Sequence, residues 1–137
     1  MQRAKPLREQ VRTRITRSRA SVFLPREFQD LGGEDQVLRA IRQLVQAGQL
    51  IRLGYGVYGR AVPSPLSGQP MLATPDGFIG ASREALTKLG VAWEPSSWER
   101  AYNEGRSTQV PVNAVVRVNG RFTRRLSYRG KPLVLER

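Results

Sequence analysis

The chain has 137 residues, enough for one domain or two small ones, and its 39 % hydrophobic and 25 % charged residues are an ordinary globular balance. Its 23 Lys+Arg against 11 Asp+Glu give a net charge of +12, carried almost entirely by arginine, whose planar guanidinium suits phosphate and guanine. With no Cys and no His, there is no disulfide framework, no thiolate metal site and no imidazole base; no phosphate-binding glycine loop or convergent acid pair appears either, so a non-enzyme without cofactor or metal is expected.

MQRAKPLREQ lacks the apolar stretch of a signal peptide, and no run of about 18 apolar residues follows, so the expectation is a cytoplasmic protein without membrane contact. Leu7 to Arg19 reads as a first helix, with Leu7, Val11 and Ile15 at i, i+4 and i+8 on one side. Arg8, Arg12, Arg14, Arg17 and Arg19 cover much of the remainder. Singly, each is read equally well as part of a solvated face; as a group, with Arg12 and Arg17 as candidate contacts, they bind the DNA backbone, because unbalanced cations so close together repel one another without phosphate nearby. Ser21-Val22-Phe23 is a short strand. Pro25 opens a short helix, Arg26 to Leu31, that buries Phe28 and Leu31, with Leu24 as a poor cap.

Gly32-Gly33 leads into the helix Glu34 to Ala47, where Val37, Leu38, Ile41, Leu44 and Val45 make one apolar stripe. Glu34 and Asp35 occupy the first turn, where the macrodipole favours anions, and Gly48 supplies the stop. Opposite the stripe lie Gln36, Arg39, Gln43 and Gln46, flanked by Arg42, with no acid among them. Leu50 to Leu53 and Val57 to Arg60 are strands around Gly54-Tyr55-Gly56, whose glycines permit positive φ in a tight turn. Helix, turn, second amphipathic helix and basic hairpin in this order predict a winged helix-turn-helix. The outward residues of its second helix read the major groove, and Arg52, Tyr55 and Arg60 of the wing grip the backbone or an adjacent minor groove.

Ala61 to Pro70, with three prolines, is a linker or an extended crossing segment, and the domain boundary is placed inside it. Residues 1–62 are then the DNA-binding domain and 63–137 a small α/β domain, giving an α+β fold class for the whole. Ser82 caps a helix Arg83 to Leu89, Val91 to Trp93 is a strand, and Ser96 or Ser97 caps a small helix holding Trp98, Ala101 and Tyr102. Trp93 and Trp98 are assigned to the core in preference to base stacking. From Val112 onward the period becomes that of strands. A three-residue loop, Asn119-Gly120-Arg121, pairs Val118 with Phe122, Ala114 with Leu126 and Val112 with Tyr128, and a turn at Arg129-Gly130 sets Leu133 against Leu126 and Pro132 opposite Ser127. The result is an antiparallel β-meander. In this register Arg124 lands on the apolar face opposite Val116. Its stem either crosses the core with its head paired to Glu94 or Glu104, or it lines a functional groove. Residues 1–62 carry twelve Lys/Arg against five Asp/Glu, net +7, and residues 63–137 eleven against six, net +5. Arg117, Arg121, Arg124, Arg125, Arg129 and Lys131 form a second basic surface.

The run VFLPREFQDLGG…VLRAIRQLVQAGQLIRLGYGVYGR resembles the winged-helix domain of the AbiEi-type antitoxins of abortive-infection systems. VPSPLSGQP and EPSSWERAYNEGRSTQVPVNAVVRVNGRFTRRL resemble that family's C-terminal part, with its Ser-Thr-Gln-Val-Pro motif, here Ser107 to Pro111, and its Arg-Arg pair, here Arg124-Arg125. The resemblance covers roughly residues 8 to 135 and departs from the pattern at Leu24 and at Trp98-Glu99-Arg100. It implies an antitoxin of a type IV toxin–antitoxin operon that represses its own transcription. The partners it implies are double-stranded operator DNA with inverted repeats and, functionally, a nucleotidyltransferase-like toxin whose effect it opposes. The alternative is a basic RNA-binding or ribosome-associated winged-helix protein. Outward Gln and Arg suit adenine and guanine readout and favour the first, since RNA binders carry a platform of exposed aromatics and only Tyr55 is such a candidate.

Overall fold

In the computed structural model, which describes residues 5–105, 114–122 and 124–137, the first apolar spacing becomes helix α1, Leu7–Arg17, with Val11 and Ile15 buried. Ser18 is extended and ends it before Arg19. β1 (Val22–Phe23) then pairs antiparallel with β3 (Val57–Pro63), Val22 opposite Gly59 and Phe23 opposite Tyr58. The helix expected over Arg26 to Leu31 shrinks to a 3-10 turn, Pro25–Phe28. Leu24 has no side-chain acceptor, and the Glu27 carboxylate takes its N–H at 2.7 Å instead. The turn is closed from within, and the Gly32-Gly33 pair that follows prevents its extension.

Helix α2, Glu34–Gln46, buries Val37, Ile41 and Leu44 of the expected stripe together with Ala40, and Gly48 at φ 77° turns the chain out of it. β2 (Leu50–Gly54) and β3 form the hairpin, with Gly54 opposite Val57. β3 runs on to Pro63 and pairs there with β4 (Pro70–Leu72), Ala61 opposite Leu72. The proline-rich stretch 61–70 is therefore the extended segment of its two readings: a strand and a return, closed where the Ser64 N–H donates to the Gln69 carbonyl at 2.7 Å.

Strand order is β1-β3-β2, and alternation along the strands divides their side chains between two faces. Phe23, Leu50 and Tyr58 meet Val11, Phe28, Ile41 and Leu44 from the helices. Val22, Leu53 and Val57 point the other way, and Ala81, Ala85 and Leu126 from the second half of the chain cover them. The covering helix, α3, runs Gly77–Lys88, longer at its start than Arg83 to Leu89. Ser82 is no cap: it is fully buried inside the helix, and Asp76 holds the N-cap position. Gly77 and Gly80 hide the extra turns from a propensity reading. α3 is pinned to the edge of β1. The Glu84 carboxylate accepts the backbone N–H groups of Ser21, at 2.9 Å, and Val22, and the Lys88 ammonium donates to the Val22 carbonyl at 2.6 Å and to Glu27 at 2.8 Å. Charge-assisted bonds thus stand where a neighbouring strand would.

Arg14 ties α1 to the 3-10 turn through the Glu27 carbonyl at 2.9 Å and to the residues after it by a two-pronged contact with Asp30, 2.6 and 2.7 Å. Its hydrogen bond holds the Asp30 carboxyl below the ordinary aspartate range. A depressed pKa contributes stability that is full above the unfolded-state value and is lost as pH falls through the folded-state value, here below about pH 4. Asp30→Asn should lower the melting temperature slightly at pH 7, and that gap should narrow as the pH falls below about 4. A gap that stays constant across a melting series would assign the effect to something other than this ion pair.

β5 (Trp93–Pro95), β6 (Val115–Val118) and β9 (Val134–Glu136) make a second sheet with β6 central, antiparallel to β5 and parallel to β9. Leu86 of α3 packs there with Val116, Val118 and Phe122. Ser96 caps α4 (Ser97–Asn103), its Oγ accepting the Glu99 N–H. The antiparallel meander needs correction. β7 (Ser127–Tyr128) and β8 (Lys131–Pro132) form as expected around Arg129-Gly130, with Ser127 opposite Pro132 and the Leu133 N–H on the Leu126 carbonyl. They form a separate ribbon, however, and β9 takes the place beside β6. Leu126 is drawn into the cluster of Val22, Leu24 and Leu53, pulling the segment before it off the sheet. Burying a leucine stabilises by about 1.5–3 kcal/mol, whereas ladder hydrogen bonds are available equally from β9. Ser107 to Pro111, and Val112 with its proposed pairing to Tyr128, lie outside the described residues. The architecture is α+β, with four helices and small antiparallel and mixed sheets among the described residues. None of these helices is long and apolar enough to cross a membrane.

Candidate nucleic-acid interface

The outward face of α2 is built as its spacing predicts: Gln36, Arg39, Arg42, Gln43 and Gln46 are all exposed. Grooves flank it. One lies against the start of α1, where Leu7 and Arg8 meet Gln36, Arg39 and Gln43. The other, of about 480 Å³, lies against the β2–β3 hairpin, where Arg42 and Gln46 face Arg52 and Tyr55 across the half-buried Leu38 and Val45, with Glu34 at one end. Gln36 is partly committed to the helix start, its Oε1 accepting the Gly33 N–H at 3.4 Å. Arg8, not singled out by periodicity, reaches this face because α1 packs beside α2.

At the hairpin tip Tyr55 is 76 % exposed, and the Arg52 guanidinium leans on the Gly54 carbonyl at 3.4 Å. Of the two tip glycines, only Gly56 uses positive φ, 66°. Gly54 serves a different purpose. A Cβ there would run into the Arg125 carbonyl and press on Leu126 Cδ2 at 3.0 Å, so the bare backbone lets the C-terminal segment lie against the hairpin.

Arg60 is a correction to the expected wing contacts. Its Nη2 turns inward and donates to the carbonyls of Ile15, Ser18 and Ala20, each at 2.8 Å, while its guanidinium lies 5.5 Å from the Phe23 ring centre. It satisfies carbonyls at the end of α1 and presents no cation to a ligand.

On α1 the expected row of unbalanced cations is partly balanced. Glu9 pairs with Arg12 at 2.5 Å and Arg8 at 3.7 Å, and the Arg12 hydrogen bond in particular holds the Glu9 carboxyl below its ordinary range. Arg12 stays exposed, whereas Arg17 lines a separate groove with Lys5, Gln10, Thr13 and Ser18, none of them on α2.

The meander that would align the second basic surface does not form, and its members lie on different elements. Arg117 sits half-buried in β6 between Glu94 on β5 and Glu136 on β9. Arg129 lies over the Tyr128 ring at 5.1 Å, in the ribbon that also carries Lys131, and Arg121 is exposed after β6. Arg124 is not on an apolar face either: Val116 faces Pro95 and Leu135, while Arg124 is exposed and its guanidinium lies 6.0 Å from the centre of the Tyr55 ring. Trp98 is likewise no core residue, being 52 % exposed, whereas Trp93 packs on the third cluster.

The chain matches no model of a known protein family, no curated protein and no solved structure.

Proposed function

We propose that this chain is a sequence-specific binder of double-stranded DNA that acts as a transcriptional repressor, with α1 through β3 serving as a winged helix-turn-helix. One observation carries the reading: α2 exposes Gln36, Arg39, Arg42, Gln43 and Gln46 with no acid among them, between grooves whose far walls supply Arg8 and Arg52. A major groove about 12 Å wide admits such a helix, and Gln and Arg form two-pronged contacts with adenine and guanine edges. Arg39 and Gln43, at the middle of the face, take the base contacts; Arg52 takes phosphate. The likeness of the chain's motifs to AbiEi-type antitoxins supports a narrower version, in which the DNA is the operator of the chain's own toxin–antitoxin operon.

Selection of duplexes from a random library with the whole chain, followed by repression of a reporter behind the selected site, tests the reading. Arg39→Ala should cost about 1–3 kcal/mol on the selected site and much less on random duplex. Arg52→Ala should weaken all duplexes alike and flatten the logarithmic salt slope by about 1. Equal losses on both duplexes for Arg39→Ala would remove base reading, and tighter binding to single-stranded RNA would favour the RNA-binding alternative.

A further inference from the structure

Tyr55 is an exposed aromatic at the end of a hairpin, and the cation on it comes from the far end of the chain. That placement is built. Leu126 is 2 % exposed among Val22, Leu24, Leu53 and Val57, and the Arg125 carbonyl rests where any side chain at Gly54 would be. Two residues before this anchor, and next to the carbonyl packed on Gly54, Arg124 has its guanidinium over the Tyr55 ring. A phosphate contact needs no such seat, since a charge on a flexible stem suffices and the chain has many. An arginine held by an aromatic ring at the tip of a narrow, glycine-flanked hairpin is suited to entering a groove.

We propose that Arg124, positioned by Tyr55, is a minor-groove reader of A·T-rich DNA that completes the hairpin tip. The inference rests on the DNA-binding reading above and adds a specificity determinant from the C-terminal half. With α2 in the major groove, a hairpin following it directly is carried to the neighbouring minor groove. There the narrow A·T groove concentrates negative potential and draws arginine in, whereas the guanine amino group of a G·C pair obstructs the floor. Tyr55 limits the rotamers of Arg124 before binding, so less freedom is lost on entry.

The test uses the whole chain and the duplex it selects from a random library, prepared with A·T, G·C or inosine·cytosine pairs in the flank next to the α2 site. Inosine·cytosine presents the minor groove of A·T and the major-groove acceptors of G·C. Wild type should bind the A·T and inosine·cytosine duplexes within about 2-fold of each other and the G·C duplex about 10-fold more weakly. Arg124→Ala should bring the three within about 2-fold. Arg124→Lys should keep the salt slope and lose most of the preference, while Tyr55→Ala should behave as Arg124→Ala and Tyr55→Phe as wild type. Thermal melts of the Arg124 variants, whose altered side chain is exposed, establish that the fold is intact. A loss in Arg124→Ala that is equal on all three duplexes would make it a phosphate contact and overturn the proposal, as would a preference that survives the substitution. If the whole chain selects no duplex at all, the DNA-binding reading itself is wrong, an outcome distinct from both.

Discussion

Residues 1–62 expressed alone should show no cooperative thermal unfolding, whereas the full chain should melt in a single transition. The β1-β3-β2 sheet needs cover on both faces, and the second face, with Val22, Leu24, Leu53 and Val57, is covered by Ala81, Ala85 and Leu126 from beyond residue 62. Leaving those four side chains in water forfeits about 6–12 kcal/mol, at about 1.5–3 kcal/mol each, against a total stability of about 5–15 kcal/mol for a domain of this kind. The same cut removes Glu84 and Lys88, which satisfy the edge of β1. Circular dichroism melts and the dispersion of a proton NMR spectrum decide the matter. A sharp transition and native dispersion in the fragment would show that the second face tolerates solvent. For the same reason, what residues 63–137 contribute to the proposed DNA binding is best dissected by point variants of the whole chain.

Arg60→Met should destabilise the protein by about 2–3 kcal/mol, lowering the melting temperature by about 6–12 °C, without changing the salt slope of DNA binding. Methionine keeps the length and apolar character of the stem while removing the donor that serves Ile15, Ser18 and Ala20. Water can reach part of the half-buried site, which keeps the loss below the full cost of three orphaned carbonyls. The contrast with Arg52 is diagnostic. Arg52 is exposed and Arg60 engaged, so Arg52→Ala should move the slope and spare the melt, and Arg60→Met should do the reverse. A flattened slope in Arg60→Met with an unchanged melt would return it to the contacts proposed for DNA.

The features readable along the chain were those whose energetics are local. The 3.6-residue period of Val37, Ile41 and Leu44 places α2 and leaves its Gln/Arg face outward, since a helix with one apolar stripe buries that stripe wherever it docks. Glycine at Gly48 and the turn at Arg129-Gly130, at φ 52° and 78°, act through backbone conformations that neighbouring residues alone impose. Even the alignment of Ser127 with Pro132 follows from turn length. Features settled by contacts distant in sequence were not readable in this way. Alternation in β1 and β3 requires two covered faces but does not name the cover, and α3 with Leu126 takes that role through side chains far from the sheet in sequence. Once Leu126 is buried there, the strand expected beside β6 is lost, β9 pairs in parallel, and the arginines of the expected meander fall on different elements. A cation's use also depends on what lies within its reach. Arg60 turns inward because three carbonyls converge on it, and Arg124 reaches Tyr55 because Gly54 and Leu126 hold the adjoining Arg125 backbone there. Period and turn chemistry specify which way a residue faces on its own element; what it faces is set by packing between elements, where one buried leucine outweighs a pairing pattern that several strands can satisfy.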